Sequence, residues 1–495
     1  MAGLLAATRE LNAIQFHIPP KIADMENVFQ KEISNINSRI SKETEKGTPD
    51  KKLMNSLNEK LLSVIRSRDS LVMTFEKDYP EYYSIKYSTR VPSLKEIPAI
   101  TGRNNNYLNY VMSDSMLYIF IINRKYQKII TYETDSSFVS KLMKFRLLIS
   151  NPSPSESART KFSDFQEAGF DLYRLLIEPV RMYLISDNLM ISPDNLLSYI
   201  PFETLLSSKY SGDEILYRKL PYLMNDYSIS YVYSATFMQE NVARNYSKTK
   251  DLIAFAPVYD RAINTDSLVL VRESVVTLNP LPYSRQEAEY ISQKTRGKLY
   301  LDNEARESTF KREAGRYDII HLAMHTWLND MYPMNSAMIF TQSSDTPEDG
   351  LLNTYEVYGI PLKARMVVLS SCKTGYGKLS TGEGILSLAK GFLYSGSQSV
   401  VMSMWEIEDR SGTDIIKMFY DNLLKGKSKS SALKKARKDY LENASQLRSH
   451  PYFWSTLLIY GDNAPIYSQH KKFIIILIAL ISGIILIYLM KRRYS

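Results

Sequence analysis

Two amphipathic segments near the amino terminus predict a helical hairpin. In residues 20–76, apolar side chains recur three and four positions apart, which is the period of a helix with one buried face. The intervening KGTPD contains glycine and proline, which commonly end one helix and begin the next. The two apolar stripes are Met25, Val28, Ile33, Ile36 and Ile40, then Leu57, Leu61, Ile65, Val72 and Phe75. We expect residues 1–89 to form this hairpin and a linker.

Beyond about residue 105, short apolar runs alternate with amphipathic segments. YLNYVMSDSMLYIFIIN and QKIITYET are typical of paired strands, and residues 163–187 of a helix. Later strands are predicted in SISYVYS, LIAFAPVY, YDIIHLAMH, VVLSS and SVVMSMWEI; later helices are predicted in RQEAEYISQKT, in ILSLAKGFLYSG and from near Asp409. Strands that alternate with helices predict an α/β fold with a mostly parallel sheet.

A continuous apolar run near the carboxyl terminus predicts a membrane anchor. Residues 473–490, FIIILIALISGIILIYLM, are eighteen residues without a charge, enough to span about 27 Å as a helix. A buried core helix is the alternative, but lysine and arginine at both ends favour a membrane span. Because positive charge flanks both ends, it gives no clear orientation. The absence of an apolar signal segment at the start favours a cytoplasmic location for the globular part.

Composition narrows the class of protein. A chain of 495 residues with 44% hydrophobic and 23% charged residues is typical of a globular protein with more than one folded unit. Its single cysteine excludes an intrachain disulfide framework and a multi-cysteine zinc site. The net charge is +9, but the anchor's flanks supply five of the positive charges. We therefore expect no nucleic-acid partner.

Candidate chemistry lies at the ends of two predicted strands. The single cysteine, Cys372, follows VVLSS, and His325, one of five histidines, ends YDIIHLAMH. Open α/β sheets build their sites at the carboxyl ends of strands. A thiol with a pKa of about 8.5 is only slightly ionised at neutral pH, so a nucleophilic cysteine needs a base such as histidine. The glycine-punctuated loop that includes Gly375 is suited to presenting backbone N–H groups to an oxyanion.

Structural interpretations of the same residues remain open. Cys372 could be a packed small hydrophobe, and His321 and His325, four apart on one side of a strand, could be core residues. Glu383 and Asp409 could cap helices, and Trp405 could belong to the core. A phosphate-binding P-loop is excluded, because no Gly-Lys pair has a glycine five residues before it.

Taken together, several segments resemble CHAT-domain proteins, members of the caspase-like and separase-like clan of cysteine peptidases. In family order they are ISPDNLLSYIPFETLL, LPYSRQEAEYI, YDIIHLAMH, DGLLNTYEVYGIPLKARMVVLSSCKTGYGKLSTGEGILSLAKGFLYSGSQSVVMSMWEIED and HPYFWSTLLIYGD. The resemblance covers roughly residues 90–463 and implies a caspase-like domain over 90–468. Such domains are often linked to tetratricopeptide repeats, and AATRELNAIQF and DYPEYYSIKY resemble the linker between the two.

The resemblance also implies roles for individual residues. Cys372 matches the nucleophile and His325 the general base of peptide hydrolysis through a thioester, without metal or organic cofactor. The backbone N–H groups of Cys372 and Thr326 would hold the oxyanion. Supporting positions are Gly375, Glu383, Trp405 and Asp409. One departure is Thr326, because the family usually has glycine after the catalytic histidine. Threonine disfavours positive φ, so either the turn is built differently or the oxyanion hole is impaired.

Three functions are compatible with these observations. The first is a membrane-anchored cysteine endopeptidase that cleaves a protein partner. The second is a catalytically impaired CHAT scaffold that recruits protein partners at the membrane. The third is a thiol redox sensor, which would need a disulfide between chains because the sequence has no resolving cysteine.

Overall fold

The computed structural model describes most of the chain between residues 50 and 467 and isolated positions before it. The described residues are 22, 25, 28, 29, 32, 33, 35–37, 39, 40, 43, 50–79, 91–113, 115–151, 158–212, 214–243, 250–257, 259, 268–271, 274–278, 280–329, 335–342, 348–370, 378–380, 384–386, 388–406 and 408–467.

The elements alternate between strands and helices from residue 97 onward. The helices are α1 (Lys51–Asp78), α2 (Ile97–Thr101), α3 (Ser136–Ser150), α4 (Ala158–Leu176), α5 (Glu178–Arg181), α6 (Leu223–Asp226), α7 (Ala235–Ala243), α8 (Ser284–Thr295), α9 (Glu307–Glu313), α10 (Thr354–Val357), α11 (Leu388–Tyr394), α12 (Asp409–Leu424), α13 (Lys429–Asn443) and α14 (Pro451–Trp454). The strands are β1 (Asn106–Met112), β2 (Met116–Ile122), β3 (Gln127–Glu133), β4 (Asn188–Ser192), β5 (Ser228–Tyr231), β6 (Lys250–Ala256), β7 (Leu268–Val271), β8 (Ser274–Thr277), β9 (Lys298–Leu301), β10 (Tyr317–Leu322), β11 (Thr326–Trp327), β12 (Ala337–Ile339), β13 (Leu351–Asn353), β14 (Met366–Leu369), β15 (Lys378–Ser380), β16 (Gly384–Leu386), β17 (Ser399–Ser403) and β18 (Leu457–Gly461).

The predicted helical stripes are buried only in part. Ile36, Leu57 and Phe75 are buried, and Ile33, Ile40 and Leu61 pack against a buried cluster. Met25 and Val28 are 45% and 57% exposed. The residues that α1 buries are Leu57, Val64, Leu71 and Phe75. Ile65 and Val72 are only partly buried, whereas Val64 and Leu71, which the predicted stripe omits, are buried. Leu57, Val64 and Leu71 are seven positions apart, a spacing typical of two long helices packed side by side.

An eleven-stranded sheet organises the main unit. Its order is β3-β2-β1-β4-β5-β18-β17-β14-β10-β6-β9. Neighbours are parallel except in the β1–β2, β2–β3 and β17–β18 pairs. The prediction of a mostly parallel α/β sheet is therefore confirmed, as is the prediction of paired strands at its start. Because β17 and β18 are antiparallel, the two halves of the sheet point their carboxyl ends toward opposite edges.

Strands β10 and β14 are covered on both faces. Every residue of YDIIHL and of MVVL is buried. Parallel strands that are covered on both faces have such continuous apolar runs, because no side faces water. Burial on both sides fixes the register, in which Leu322 lies beside Phe255 on one side and Leu369 on the other. The chain segments that follow these strands therefore start from a rigid edge.

Two helix predictions need correction. The helix predicted over 163–187 begins earlier, at Ala158, and ends at Leu176. Pro179 then lies in the first turn of α5, and proline ends a preceding helix because it cannot donate the next backbone hydrogen bond. Helix α3 was not predicted; its inner face buries Phe138, Leu142, Phe145 and Ile149.

No helix among the described residues is long and apolar enough to cross a bilayer. The predicted anchor at 473–490 lies outside the described residues.

Candidate functional site

Three neighbouring parallel strands, β6, β10 and β14, end together at one edge of the sheet. The N–H of Ala323 donates to the carbonyl of Phe255 at 3.0 Å, and the N–H of Ser370 donates to the carbonyl of Leu322 at 2.9 Å. The chain leaving each strand carries a residue of chemical interest. Tyr259 follows β6, His325 follows β10, and Cys372 lies two positions beyond Ser370 in sequence.

His325 lies between the end of β10 and the short strand β11. Its carbonyl accepts the N–H of Ile339 at 2.9 Å, and its own N–H donates to the Tyr259 hydroxyl at 3.2 Å. The imidazole packs on the Tyr259 ring, with centroids 4.6 Å apart and planes tilted by 58°. These hydrogen bonds fix the backbone of His325. The residue is half-buried and therefore keeps some access to solvent.

Thr326, which follows His325 where the family usually has glycine, lies in a short strand. It begins β11 and faces Met338 of β12 in an antiparallel ladder, so its backbone is extended. Because His325 and Ile339 form the hydrogen-bonded position next to it, the N–H of Thr326 points away from β12. Thr326 thus lies in extended backbone, which threonine favours, and does not need the positive φ that glycine allows.

Three predicted site residues, Cys372, Gly375 and Glu383, lie outside the described residues. Their roles stay predictions. The described chain stops at Ser370, directly after β14, and resumes at Lys378.

Trp405 has core contacts. It is 4% exposed, its backbone N–H donates to the Thr456 hydroxyl at 3.1 Å, and its indole N–H donates to the Tyr452 carbonyl at 3.0 Å. These bonds tie the end of β17 to the segment before β18. Its supporting role at the site stays a prediction.

Asp409 is the first residue of α12, and its assignment as the N-cap is wrong. The N-cap is Glu408, whose carboxylate accepts the N–H of Ser411 at 2.8 Å. Asp409 instead accepts the backbone N–H of Tyr283 at 3.0 Å and so joins α12 to the start of α8. Burial raises the pKa of Asp409, against the lowering effect of that hydrogen bond, and the nearby Glu287 and Glu408 raise it further.

The two histidines of HLAMH have different environments. His321 lies on β10 with no exposed surface, whereas β10 ends at Leu322, before His325. The expectation that both lie along one side of the strand is therefore wrong. Nε2 of His321 is 2.9 Å from a carboxylate oxygen of Glu287, and Nδ1 is 3.3 Å from the Tyr420 hydroxyl. His321 is thus a core residue that binds β10 to helices α8 and α12.

The family profile of the CHAT domain matches residues 166–462, well over half of the chain. The chain belongs to the CHAT-domain family. The matched region includes β4 to β18 and the edge that carries Tyr259 and His325.

Curated relatives match a smaller part of this CHAT protein. Tetratricopeptide repeat protein 28 of Homo sapiens is 32% identical over 127 residues, and that of Mus musculus is 29% identical over the same length. Each alignment covers 25% of this chain and 5% of the relative, so the match spans only a small fraction of these relatives' length.

Solved structures with distant similarity include two protein complexes. Saccharomyces cerevisiae separase, in a separase–securin complex, is 10% identical, with 83% of this chain and 32% of that chain covered and a TM-score of 0.44. The complex of Porphyromonas gingivalis RgpB pro- and mature domains is 9% identical, with 67% and 77% covered and a TM-score of 0.37.

A carboxylate cluster in the CHAT domain has the donor types of a metal site. Carboxylate oxygens of Glu307, Glu348 and Glu356 lie within 4.8 Å of one another. The Lys311 ammonium is 2.7, 2.6 and 2.8 Å from them, respectively, and occupies the place a cation would take. The cluster therefore joins α9 to the segment around β13 through an ammonium rather than a metal.

Tyr259, which contacts His325, and Glu287, which contacts His321, were not predicted from the sequence. Both lie in segments quoted above, LIAFAPVY and RQEAEYI. The available signal for Tyr259 was its place just beyond a third buried strand, next to the two that end near Cys372 and His325. Nothing in the local pattern distinguishes Glu287 from the exposed acidic residues of the same helix.

Proposed function

We propose that this CHAT-domain protein is a cysteine endopeptidase in which Cys372 is the nucleophile and His325 the general base. The observation that carries the proposal is the hydrogen bond between Ser370 and Leu322. It holds the carboxyl ends of β14 and β10 side by side. Cys372 is two residues beyond Ser370, so the chain can separate their Cα atoms by at most about 7 Å. His325 is three residues beyond Leu322, which limits that separation to about 11 Å.

His325 suits the role of base better than His321. A general base must reach the nucleophile and exchange protons during turnover, which requires a partly accessible imidazole. His325 is half-buried at the sheet edge, while His321 is enclosed and already contacts Glu287 and Tyr420. Family membership agrees with this choice, since the second histidine of HLAMH matches the family's base.

The proposed reaction proceeds in two halves. His325 takes the thiol proton of Cys372, and the thiolate attacks the scissile carbonyl carbon, whose electron pair moves onto its oxygen. The N–H groups of Thr326 and Cys372 stabilise that oxyanion, and the orientation of the Thr326 N–H away from β12 supports this role. The C–N bond then breaks as the imidazolium returns the proton to the leaving amine. Water, activated by His325, hydrolyses the thioester and regenerates the thiol.

The proposal includes a membrane location for this chemistry. Residues 473–490 would anchor the protein, with the CHAT domain on the cytoplasmic face, so that cleavage is confined to partners at the membrane. The full chain is then expected to float with vesicles and the CHAT domain to be digested by protease added from the cytoplasmic side. Replacing Ile481 with Arg, in the middle of the apolar run, should reduce flotation. Equal flotation of that variant, or protection of the domain, would contradict this part.

A protein-recruiting scaffold is the second candidate, and the observation that favours it is Thr326. The family usually has glycine at this position, and a scaffold has no need of a conserved oxyanion hole. In that case partner binding would survive substitution of Cys372 and His325.

The experiment that separates the two candidates compares new protein amino termini in cells expressing the full chain, Cys372→Ala or His325→Ala. The peptidase predicts a set of cleavage products that both variants lose at unchanged expression. Tyr110→Phe serves as a control for mild destabilisation far from the site. Products that persist in both variants, or none in any cell, would leave the scaffold as the function.

A further inference from the structure

The hydroxyl of Tyr259 is inserted into the ladder that holds His325. The register of β11 on β12 places His325 opposite Ile339. In an ordinary antiparallel ladder such a pair exchanges two direct hydrogen bonds. Here one is direct, from Ile339 N–H to the His325 carbonyl at 2.9 Å. In the other half, His325 N–H donates to the Tyr259 hydroxyl at 3.2 Å, which donates to the Ile339 carbonyl.

The direction of these hydrogen bonds requires a neutral phenol. Burial raises the pKa of Tyr259, and the hydrogen bond from the His325 amide opposes that rise only in part. The residue is 8% exposed, and the carbonyl of Ile339 can only accept. The hydroxyl is therefore a fixed spacer between the two backbones, with both of its hydrogen-bonding directions used.

Tyr259 also contacts the part of His325 that would carry out the chemistry. Its ring lies against the imidazole, with centroids 4.6 Å apart. One side chain thus holds both the main chain and the side chain of His325. It does so from β6, whose register on β10 is fixed by buried pairs such as Phe255 with Leu322.

We propose that Tyr259 is the positioning residue of this site, and that its hydroxyl holds His325 away from β12 in the orientation that serves Cys372. The role rests on the proposed peptidase function, whereas the inserted hydroxyl is a feature of the fold. Without the hydroxyl, His325 N–H and the Ile339 carbonyl would each lose this hydrogen-bond partner. Because an unsatisfied buried polar group is costly, we expect the two groups to form a direct hydrogen bond with each other. Closure moves the backbone of His325 by on the order of 2 Å, the difference between a bridged and a direct bond.

A displacement of that size is large for catalysis. Misplacing a catalytic group by about 1 Å can cost on the order of 100-fold in rate. Tyr259→Phe keeps the ring against the imidazole and removes only the hydroxyl, so it isolates the spacer. Tyr110→Phe is the matched control, because Tyr110 is 1% exposed and its hydroxyl donates to a backbone carbonyl, that of Leu176 at 2.8 Å, in the opposite half of the sheet.

The test uses the full chain in detergent and two measurements. Labelling histidine with ¹⁵N gives backbone amide signals from only five residues, and the His325 signal is assigned from its loss in His325→Ala. The second measurement is the rate at which iodoacetamide alkylates Cys372 at pH 6 to 9. We expect Tyr259→Phe to move the His325 amide signal and to slow alkylation at pH 7 by 10-fold or more, and Tyr110→Phe to do neither.

The outcomes separate the two proposals. An unchanged His325 amide signal in Tyr259→Phe would overturn the spacer. A moved signal with an unchanged alkylation profile would overturn the positioning role and leave a purely structural hydroxyl. If His325→Ala itself leaves alkylation unchanged, the Cys–His pair fails, while the amide signal still decides the spacer.

Discussion

His321 and Glu287 form a buried contact of 2.9 Å, which joins β10 to α8. Both side chains are at most 2% exposed, and the second carboxylate oxygen of Glu287 accepts the Thr413 hydroxyl at 3.0 Å. Glu287 therefore joins β10 to α12 from its place on α8. This relationship gives the first histidine of HLAMH a structural role.

Glu287→Ala is expected to destabilise the protein by about 1 to 3 kcal/mol, because the Thr413 hydroxyl loses its buried acceptor. Urea unfolding of the full chain measures this. Glu289→Ala is the control on the same helix, where an exposed ion pair with Arg285 is worth less than about 1 kcal/mol. Equal destabilisation by both variants would show that the buried contact contributes nothing special.

The strands of the sheet were predicted from the sequence more successfully than the side-chain contacts between the sheet and the helices. Runs such as YDIIHL identify strands because continuous burial and β-branched residues leave few alternatives. The expectation about the two histidines failed because periodicity along a strand cannot indicate where the strand ends. His321 stays within β10 and His325 lies three residues beyond its last residue. Partners from distant helices, such as Glu287, have no local signal at all.

Arg437 and Glu203 make a second buried ion pair, at 3.0 Å with both side chains 2% exposed. Tyr231 donates to the other oxygen of Glu203 at 2.6 Å, and Arg437 also donates to the Leu457 carbonyl. Arg437→Ala is expected to cost about 3 to 5 kcal/mol, because it leaves a buried carboxylate without its counter-charge. Thermal and urea unfolding check this.

The matched control for Arg437 is Lys144→Ala. Lys144 pairs with Asp164 at 2.9 Å, but its side chain is 52% exposed, so solvent screens the pair. We expect a loss of less than about 1 kcal/mol there. A small effect of Arg437→Ala, similar to that of Lys144→Ala, would be incompatible with a buried charge pair in this position.

The raised pKa of Glu307 predicts that the stability of the protein depends on pH. Burial raises the pKa of Glu307 from 4.5 to about 7, assisted by Glu356 and opposed by Lys311. Between these values the folded state keeps a proton that the unfolded chain has released, so the contribution of Glu307 to stability decreases as pH rises from about 4.5 to about 7. Below that window the contribution is fully present.

Glu307→Gln tests this, because glutamine cannot ionise. Relative to the wild type, the variant is expected to become steadily more stable between pH 4.5 and 7 and to change no further above it. Glu304→Gln, at an exposed position of the preceding turn, controls for the loss of one charge. A stability difference for Glu307→Gln that is the same at every pH would refute the raised pKa.

The candidate site was only partly predictable for a physical reason. The sequence predicts which strands are buried and therefore which residues lie just beyond them, and this led to His325. It does not predict the short strand β11 after His325, because two residues have no period. For the same reason the effect of Thr326 was left undecided, and the insertion of Tyr259 into the ladder could not be foreseen. Both depend on the pairing of β11 with β12, which the structure alone supplies.

The most direct test of the account is the pH profile of alkylation at Cys372, which is unambiguous because the chain has one cysteine. With iodoacetamide and the full chain in detergent, we predict that reactivity persists below pH 7 in the wild type. In His325→Ala it should fall by at least 10-fold there and recover only near the ordinary thiol pKa of about 8.5. Superimposable profiles for the two proteins, both rising near pH 8.5, would contradict the pairing of His325 with Cys372.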